Sequence, residues 1–417
     1  MSEVVSRLAV LFREHHGRLL AQLLRHAGTA RLAACEDALQ QAMVAALRHW
    51  PFDGVPENPA AWLFEAARRA LIDEHRWASR RETGHALDDL PAAPSPDNRE
   101  RFARELDDDE LALLFAVCHP ALPPVAQVAL ALRTLGGLGV RELAAGLLLT
   151  EAALAKRLER ARERLAALGE PLAVPSPDAL PARRDAVLTA LYVMFNEGYQ
   201  SAQGSSYARR ELCFQALRLV CALAAHPVAG APEADVLAAL MCLHAARLSG
   251  RVDADGTPLR LPEQPRERWD AGLVALDHRH LARAGRGDRL TRWHCEAAIA
   301  AAHAAAPSYA ATDWATIVGW YERLLALDPA PVPRLAHAIA LGEARGAAEG
   351  LAAVEATLPL LPRERYPFGE AARAEFLHRV GREGEALEAW RAARAQARSD
   401  AERALIDARI AALGPDP

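Results

Sequence analysis

The stretch GVRELAAGLLLTEAALAKRLERARERL, residues Gly139 to Leu165, predicts two helices joined by a short turn. Gly146 begins that turn, and the Thr150 hydroxyl is placed to cap the second helix. Four apolar side chains of the second helix repeat at helical spacing and form one inward stripe: Leu154, Leu158, Ala161 and Leu165. This pattern is typical of a helix-turn-helix, a motif that places its second helix in the major groove of DNA.

The second helix of this motif also carries basic side chains away from its apolar stripe. They would meet phosphates or the edges of guanines in a major groove: Lys156, Arg157, Arg160 and Arg164. Arg157 and Arg160 are the first choices for such contacts, and Glu151 begins the helix. A solvated basic helix in an ordinary helical bundle would give the same pattern, so the motif alone leaves both interpretations open.

The bulk properties of the chain limit the classes of function. A chain of 417 residues predicts two or three domains. Its net charge of -5 predicts weak binding to DNA unless another component recruits it, because proteins that bind DNA tightly alone are usually basic. The six cysteines form no Cys-x-x-Cys pair, so we expect no metal and no cofactor. No signal-like N-terminus and no run of eighteen apolar residues occurs, which predicts a cytoplasmic protein without a membrane association.

Helical spacing of apolar residues dominates the sequence, and this predicts an all-α fold. The expected domains are a first helical block over residues 1–81, an acidic linker over 82–110, the helix-turn-helix block over 111–170, and a helical C-terminal extension over 183–417. The linker contains ten acidic residues against three arginines, and its prolines disfavour helix. From about residue 300 the extension resembles tetratricopeptide repeats, which stack helix pairs around a concave surface. A plain helical domain without a groove remains the alternative.

The first block contains two helix signals. An apolar stripe predicts one inward face over Leu39, Met43, Ala46, Leu47 and Trp50. Pro51 to Asn58 is predicted to be a loop. Asn58 is expected to cap the next helix, with Pro59 at its first position.

Two helical blocks joined by an acidic linker resemble an extracytoplasmic-function (ECF) sigma factor of the sigma-70 family, the subunit that directs bacterial RNA polymerase to promoters. The stretches that carry the resemblance in the first block are CEDALQQ at 35–41, NPAAWL at 58–63 and RRALID at 68–73. FAVCHPAL at 115–122 and LYVMFNEGY at 191–199 are similar to the subgroup with a long tetratricopeptide-like extension.

The resemblance implies a role for each candidate surface. It assigns one polar face of the second helix to RNA polymerase core: Asp37, Gln40 and Gln41, spaced i, i+3 and i+4. It assigns capture of the melted minus-10 strand to Phe52, Asp53, Asn58, Arg68, Arg69, Arg76 and Arg80, and reading of the minus-35 element to the helix that begins at Glu151. Two alternatives remain open. The polar face of the second helix could be solvated without binding a partner, and the acidic linker could be a solubilising tether.

The long extension has an implied role of its own. We predict Asn196, Glu197 and Gly198 to be a polar turn that makes an interdomain contact, through which the extension controls activity in cis. The chain would then be a promoter-specificity factor, not an enzyme, with RNA polymerase core and promoter DNA as partners. The alternative is a free-standing helix-turn-helix regulator whose repeat domain binds a ligand or a protein partner. The sequence does not support a hydrolase or a transferase, because it contains no nucleophile elbow and no Gly-rich phosphate loop.

Overall fold

The computed structural model describes residues 2–82, 109–147, 149–199, 210–253, 259–361, 366–397 and 400–413. Helices account for most of these residues, and no β-strand occurs among them, so the all-α prediction is confirmed. None of the helices within these ranges has the length and apolar character needed to cross a bilayer. The chain divides into two compact units. Unit 1 is Met1–Gly198 with Glu211–Gly230, and unit 2 is Tyr199–Arg210 with Ala231–Pro417.

Unit 1 contains the predicted blocks and the start of the extension. Its helices are α1 Ser2–Ala27, α2 Leu32–Asp53, α3 Pro59–Glu82, α4 at residues 109–117, α5 Pro124–Thr134, α6 Val140–Gly146, α7 Glu151–Leu168, α8 Leu180–Tyr199 and α9 Arg210–Ala225. Helices α1 to α3 pack on one another and form the first block, and α5 and α6 pack on α7 in the helix-turn-helix block. Most of the acidic linker lies outside the described residues, while its last two residues begin α4.

Two predictions for α2 are corrected by the structure. The helix continues through Pro51 to Asp53, so the loop is shorter than predicted and begins at Gly54, whose φ of 83° suits glycine. Leu47 is 40% exposed and does not belong to the inward stripe. The predicted start of α3 is confirmed, because Asn58 Oδ1 accepts a hydrogen bond from Ala61 N at 3.1 Å and Pro59 is the first helical residue.

The helix-turn-helix follows the sequence pattern closely. Thr150 caps α7 through a hydrogen bond from Ala153 N to its hydroxyl oxygen at 3.2 Å, and the four stripe residues are buried. Helix α7 ends at Leu168, and the capping residue that follows, Gly169, has a left-handed φ of 62°. Leu148, in the turn, lies outside the described residues.

Helix α9 of the extension packs inside unit 1. Gln215 Nε2 on α9 donates to the Leu135 carbonyl that follows α5 at 2.8 Å. Gly17 on α1 permits this close packing, since a Cβ there would lie 2.9 Å from Glu110 Oε1 and 3.0 Å from the Leu135 carbonyl. The start of the extension therefore shares a core with the helices that precede it.

Unit 2 is a succession of helices, most of them joined by short connections, with a longer connection over residues 247–270 between the first two. They are α10 Pro232–Ala246, α11 Ala271–Ala284, α12 Arg292–Ala305, α13 Trp314–Leu327, α14 Pro331–Arg345, α15 Ala347–Thr357, α16 Phe368–Arg379, α17 Glu383–Gln396 and α18 Asp400–Ala412. Short connections make α14 and α15, and α16 and α17, neighbouring pairs. Gly342 and Gly350 let the first pair approach closely, because a Cβ on Gly350 would lie 2.5 Å from Gly342 Cα. The tetratricopeptide-like interpretation stays a prediction.

Candidate nucleic-acid interface

The exposed side of α7 contains a basic face, flanked by the exposed carboxylates of Glu159 and Glu163. Its members are Lys156, Arg157, Arg160 and Arg164, all exposed. None of the four forms a hydrogen bond or an ion pair with another described residue, so their donors point to solvent. Glu151 is exposed at the start of the same helix. A row of unpaired cations along one helix is suited to contact DNA phosphates and bases.

The opposite flank of α7 contacts the first block through an ion pair that the sequence pattern did not reveal. Arg162 Nη2 lies 2.6 Å from Glu36 Oε2 on α2, and Arg133 Nε on α5 lies 3.6 Å from Glu36 Oε1. Glu36 is 4% exposed. Burial raises the pKa of the Glu36 carboxyl, and the two guanidinium groups oppose that shift. This carboxylate therefore joins α2, α5 and α7.

The polar face of α2 lies next to that buried contact. Asp37, Gln40 and Gln41 are exposed, although Glu36 is buried. Val44 and Leu47 extend the exposed side of this helix, at 46% and 40% exposure. An exposed face that mixes polar and large apolar side chains is suited to a protein partner.

A cleft of about 560 Å³ lies between α2 and α3 and connects the polar face with α3. Gln41, Arg69 and Asp73 are among its lining residues. Arg68 turns away along α3 and pairs with Glu65 at 2.9 Å. The side chains of Arg76 and Arg80 lie outside the described residues.

The residues predicted to capture the melted minus-10 strand differ in their exposure and in their hydrogen-bond partners. Phe52 is 88% exposed in the last turn of α2, and it is the most exposed of the large apolar side chains described. Asp53 is exposed, and its carboxylate lies 3.6 Å from His49 Nδ1. Asn58 is exposed too, but its carbonyl oxygen caps α3. Phe52 thus offers a stacking surface, whereas Asn58 has a structural role in this state.

Asn196, Glu197 and Gly198 do not form the predicted turn, because they lie in the last turn of α8. Glu197 nevertheless approaches the helix-turn-helix, since a Cβ added to Gly146 would lie 2.9 Å from Glu197 Oε2. The carboxylate therefore lies against the end of α6, where the turn of the motif begins.

A second buried carboxylate joins the extension to the first block. Glu110 on α4 is fully buried, and its Oε2 lies 2.5 Å from Arg218 Nη2 on α9 and 3.3 Å from Arg18 Nε on α1. His16 on α1 is also buried, with Nδ1 2.9 Å from the Thr134 carbonyl oxygen of α5. Burial lowers the pKa of His16 to about 4, so the ring is neutral and its Nδ1 donates the proton.

Comparisons with known proteins identify families and relatives for parts of this chain. Residues 11–81 match Sigma-70 region 2, and residues 183–285 match a family of unknown function (DUF6596). Uncharacterized protein R00370 of Rhizobium meliloti (strain 1021) is 36% identical over 404 residues, which is 95% of this chain and 94% of that protein. The ECF RNA polymerase sigma factor SigL of Mycobacterium tuberculosis is 35% identical over 113 residues, 26% of this chain and 63% of SigL. No solved structure shows a significant match.

Proposed function

Because this chain belongs to the sigma-70 family, as a factor of the ECF type with a large C-terminal extension, we propose that it selects promoters for RNA polymerase and that its extension controls this activity in cis. The basic face of α7 would read the minus-35 element. The first block would bind polymerase core through Asp37, Gln40 and Gln41 and would hold the melted minus-10 strand near Phe52 and Arg69. The single observation that carries this proposal is the unpaired basic face on a capped recognition helix.

The chemistry of the surfaces supports the division of roles. Cations without internal partners gain most from phosphates, since no ion pair has to be broken first. The net charge of -5 suits a factor whose affinity for DNA is supplied largely by the polymerase that carries it. The alternative of a free-standing regulator does not account for a Sigma-70 region 2 at residues 11–81.

Regulation in cis is supported by a simple comparison of lengths. The minus-35 and minus-10 elements are about 25 base pairs apart, or roughly 85 Å along B-DNA at about 3.4 Å per base pair. A compact unit of about 220 residues has a radius of gyration of about 17 Å and a diameter of roughly 45 Å. The helix-turn-helix and the first block lie in one such unit. They must therefore separate before both elements can be read together.

Two buried carboxylates would oppose that separation. Glu36 holds α7 to α2, and Glu110 holds α9 of the extension to α1. Each carboxylate would lose its partners if the packing opened. The extension would thus stabilise the packed form, and a signal that releases α9 would favour the open one.

Transcription by reconstituted holoenzyme tests this proposal. Arg218→Gln removes the partner that the extension supplies to Glu110, and Arg210→Gln is the matched control on the exposed start of α9. We expect Arg218→Gln to raise the initial rate of promoter-dependent transcription several-fold when the factor is limiting, and Arg210→Gln to leave it unchanged. Equal rates for both variants would reject regulation in cis, and absence of promoter-dependent transcription with every variant would reject the promoter-selecting role.

A further inference from the structure

The indole ring of Trp269 in unit 2 brings two arginines together. The guanidinium carbon of Arg247, which follows α10, lies 5.2 Å from the centre of the ring, and that of Arg266 lies 5.0 Å from the same centre. Stacking on an indole is favourable for each cation. Burial and then the charge of Arg247 lower the pKa of Arg266. Two positive charges are therefore concentrated in one small, partly buried region.

Arg266 uses only part of its guanidinium inside the chain. Its Nη1 donates to the backbone carbonyl oxygens of His303 and Ala306 at the end of α12, and its Nη2 lies 3.5 Å from the Thr312 hydroxyl oxygen. Among the described residues, no carboxylate pairs with Arg266 and no acceptor binds its Nε. Nε and Nη2 lie on one edge of the guanidinium, and such an edge can donate two parallel hydrogen bonds to an oxyanion. Because Arg266 is partly exposed, a ligand can reach this edge from solvent.

Arg247 is oriented by a neutral side chain. Its Nε and Nη2 donate to Gln264 Oε1 at 3.3 and 3.1 Å, and Gln264 Nε2 donates to the Leu259 carbonyl oxygen at 2.9 Å. Gln264 is buried, so these bonds hold it in one orientation. Its amide oxygen accepts the hydrogen bonds that a carboxylate would accept at this position, but it carries no charge. The contact therefore orients the Arg247 guanidinium without neutralising it.

Two nitrogen atoms near the arginines are buried and have no hydrogen-bond partner among the described residues. They are Nε1 of the Trp269 indole and Nδ1 of the His303 imidazole. Burial and then Arg247 and Arg266 lower the pKa of His303 to about 4, so this ring is neutral at pH 7 and lies close to both cations. Buried polar atoms without partners are rare in folded proteins, and in a cationic environment they indicate a place for an anion.

We call Arg247, Arg266, Trp269 and His303 the arginine site. We propose that the arginine site binds a small ligand that carries a phosphate ester. A phosphate monoester has nearly two negative charges at pH 7 and three acceptor oxygens, which matches two guanidinium groups and further nitrogen donors. A carboxylate has one charge and two oxygens in one plane, so it matches this set less well. The partial burial of the site favours a small ligand over a polymer.

The arginine site contains no residue of the surfaces proposed to bind polymerase or promoter DNA. Its ligand binding is measured on the full chain without polymerase. The result therefore does not depend on the promoter-selecting role.

Nuclear magnetic resonance of the indole N–H groups tests the site, with inorganic phosphate as the probe. The signals of Trp269 and Trp293 are assigned with Trp269→Phe and Trp293→Phe. We expect the Trp269 signal to shift saturably with phosphate and to shift at least tenfold less with acetate at equal ionic strength. Trp293 is the matched control, because its Nε1 is also buried without a partner among the described residues. A Trp269 signal that does not shift, or that shifts equally with acetate, would overturn the proposal.

Methyl phosphate in a parallel titration separates an esterified phosphate from free phosphate. We expect it to bind at least as tightly as inorganic phosphate. Loss of binding on methylation would overturn the ester as the ligand.

Gln264→Glu tests whether the charge of Arg247 holds the ligand. The substitution keeps the shape of the side chain and supplies Arg247 with an internal carboxylate, so phosphate should bind at least tenfold more weakly. Gln396→Glu, at the end of α17, makes the same change of charge on a side chain that forms no hydrogen bond with a described residue, and it should bind phosphate as the unaltered chain does. Equal affinities of the two variants would overturn the proposal. If Gln264→Glu does not fold, the phosphate and acetate titrations of the unaltered chain decide.

Discussion

Glu36 and Asp37 are neighbours with opposite environments, and each environment suits a different role. Asp37 is exposed on the polar face, whereas Glu36 is enclosed by Arg133 and Arg162. Removing a cationic partner of a buried carboxylate is costly, because the negative charge then stays buried without compensation. Glu36 therefore controls the packing of the unit, and Asp37 is available to a partner.

We predict that Arg162→Ala lowers the free energy of unfolding by about 3–5 kcal/mol, because it leaves Glu36 buried with one distant partner. The double variant Glu36→Gln with Arg162→Met should recover most of this loss. Urea denaturation measures both. Arg160→Ala, on the exposed side of the same helix, is the control and should change stability by less than about 0.5 kcal/mol. An Arg162→Ala protein as stable as the Arg160→Ala protein would contradict the role given to Glu36.

Asp277 on α11 predicts a pH dependence of stability. It is 1% exposed, neither carboxylate oxygen accepts a hydrogen bond from a described residue, and burial raises its pKa from 3.8 to about 6. Since the native pKa exceeds the unfolded one, Asp277 favours the folded state at low pH. Its contribution falls as the pH rises from about 4 to 6, by up to about 3 kcal/mol.

Thermal unfolding between pH 4 and 8 tests this prediction. Asp277→Asn should be more stable than the unaltered chain at pH 8, and the advantage should shrink as the pH falls below 6. Asp288→Asn, on an exposed segment, should follow the unaltered chain at every pH. An advantage of Asp277→Asn that does not vary with pH would show that the buried charge is not its cause.

At the scale of single elements, the sequence predicted the helices that have clear caps and stripes. Thr150 and Asn58 identified the starts of α7 and α3, and the apolar stripe identified the buried side of α7. Prediction failed where residue type misleads. Pro51 lies within the final helical turn of α2 instead of beginning a loop, and the polar residues 196–198 continue α8.

The role proposed for α7 gives a prediction that distinguishes base contacts from phosphate contacts. We expect Arg157→Ala and Arg160→Ala each to weaken promoter binding by holoenzyme by about 1–3 kcal/mol if the lost contact is bidentate to guanine. The loss should depend on the minus-35 sequence, which a binding titration over single-base variants measures. An equal loss on every variant would indicate phosphate contact. No loss for either substitution would remove α7 from the minus-35 assignment.

At the scale of the whole molecule, local patterns could not predict which distant helices meet. The partners of Glu110 lie 92 and 108 residues away, on α1 and α9, and no periodicity connects them. The pairing depends on tertiary packing, because a buried carboxylate needs cations from whichever elements surround it. For this reason the sequence predicted the exposed basic face of α7 but not the contacts that hold that helix to α2. The roles of the individual site residues stay predictions.

Binding to purified RNA polymerase core tests the central claim most directly. We predict that the full chain binds core and directs transcription from a specific promoter. Asp37→Arg with Gln41→Ala should weaken that binding at least tenfold without unfolding the chain, since both side chains are exposed. The control, Arg334→Ala, replaces an exposed arginine of α14 and should bind as the unaltered chain does. A chain that does not bind core, or a polar-face variant that binds core with unchanged affinity, would contradict this account.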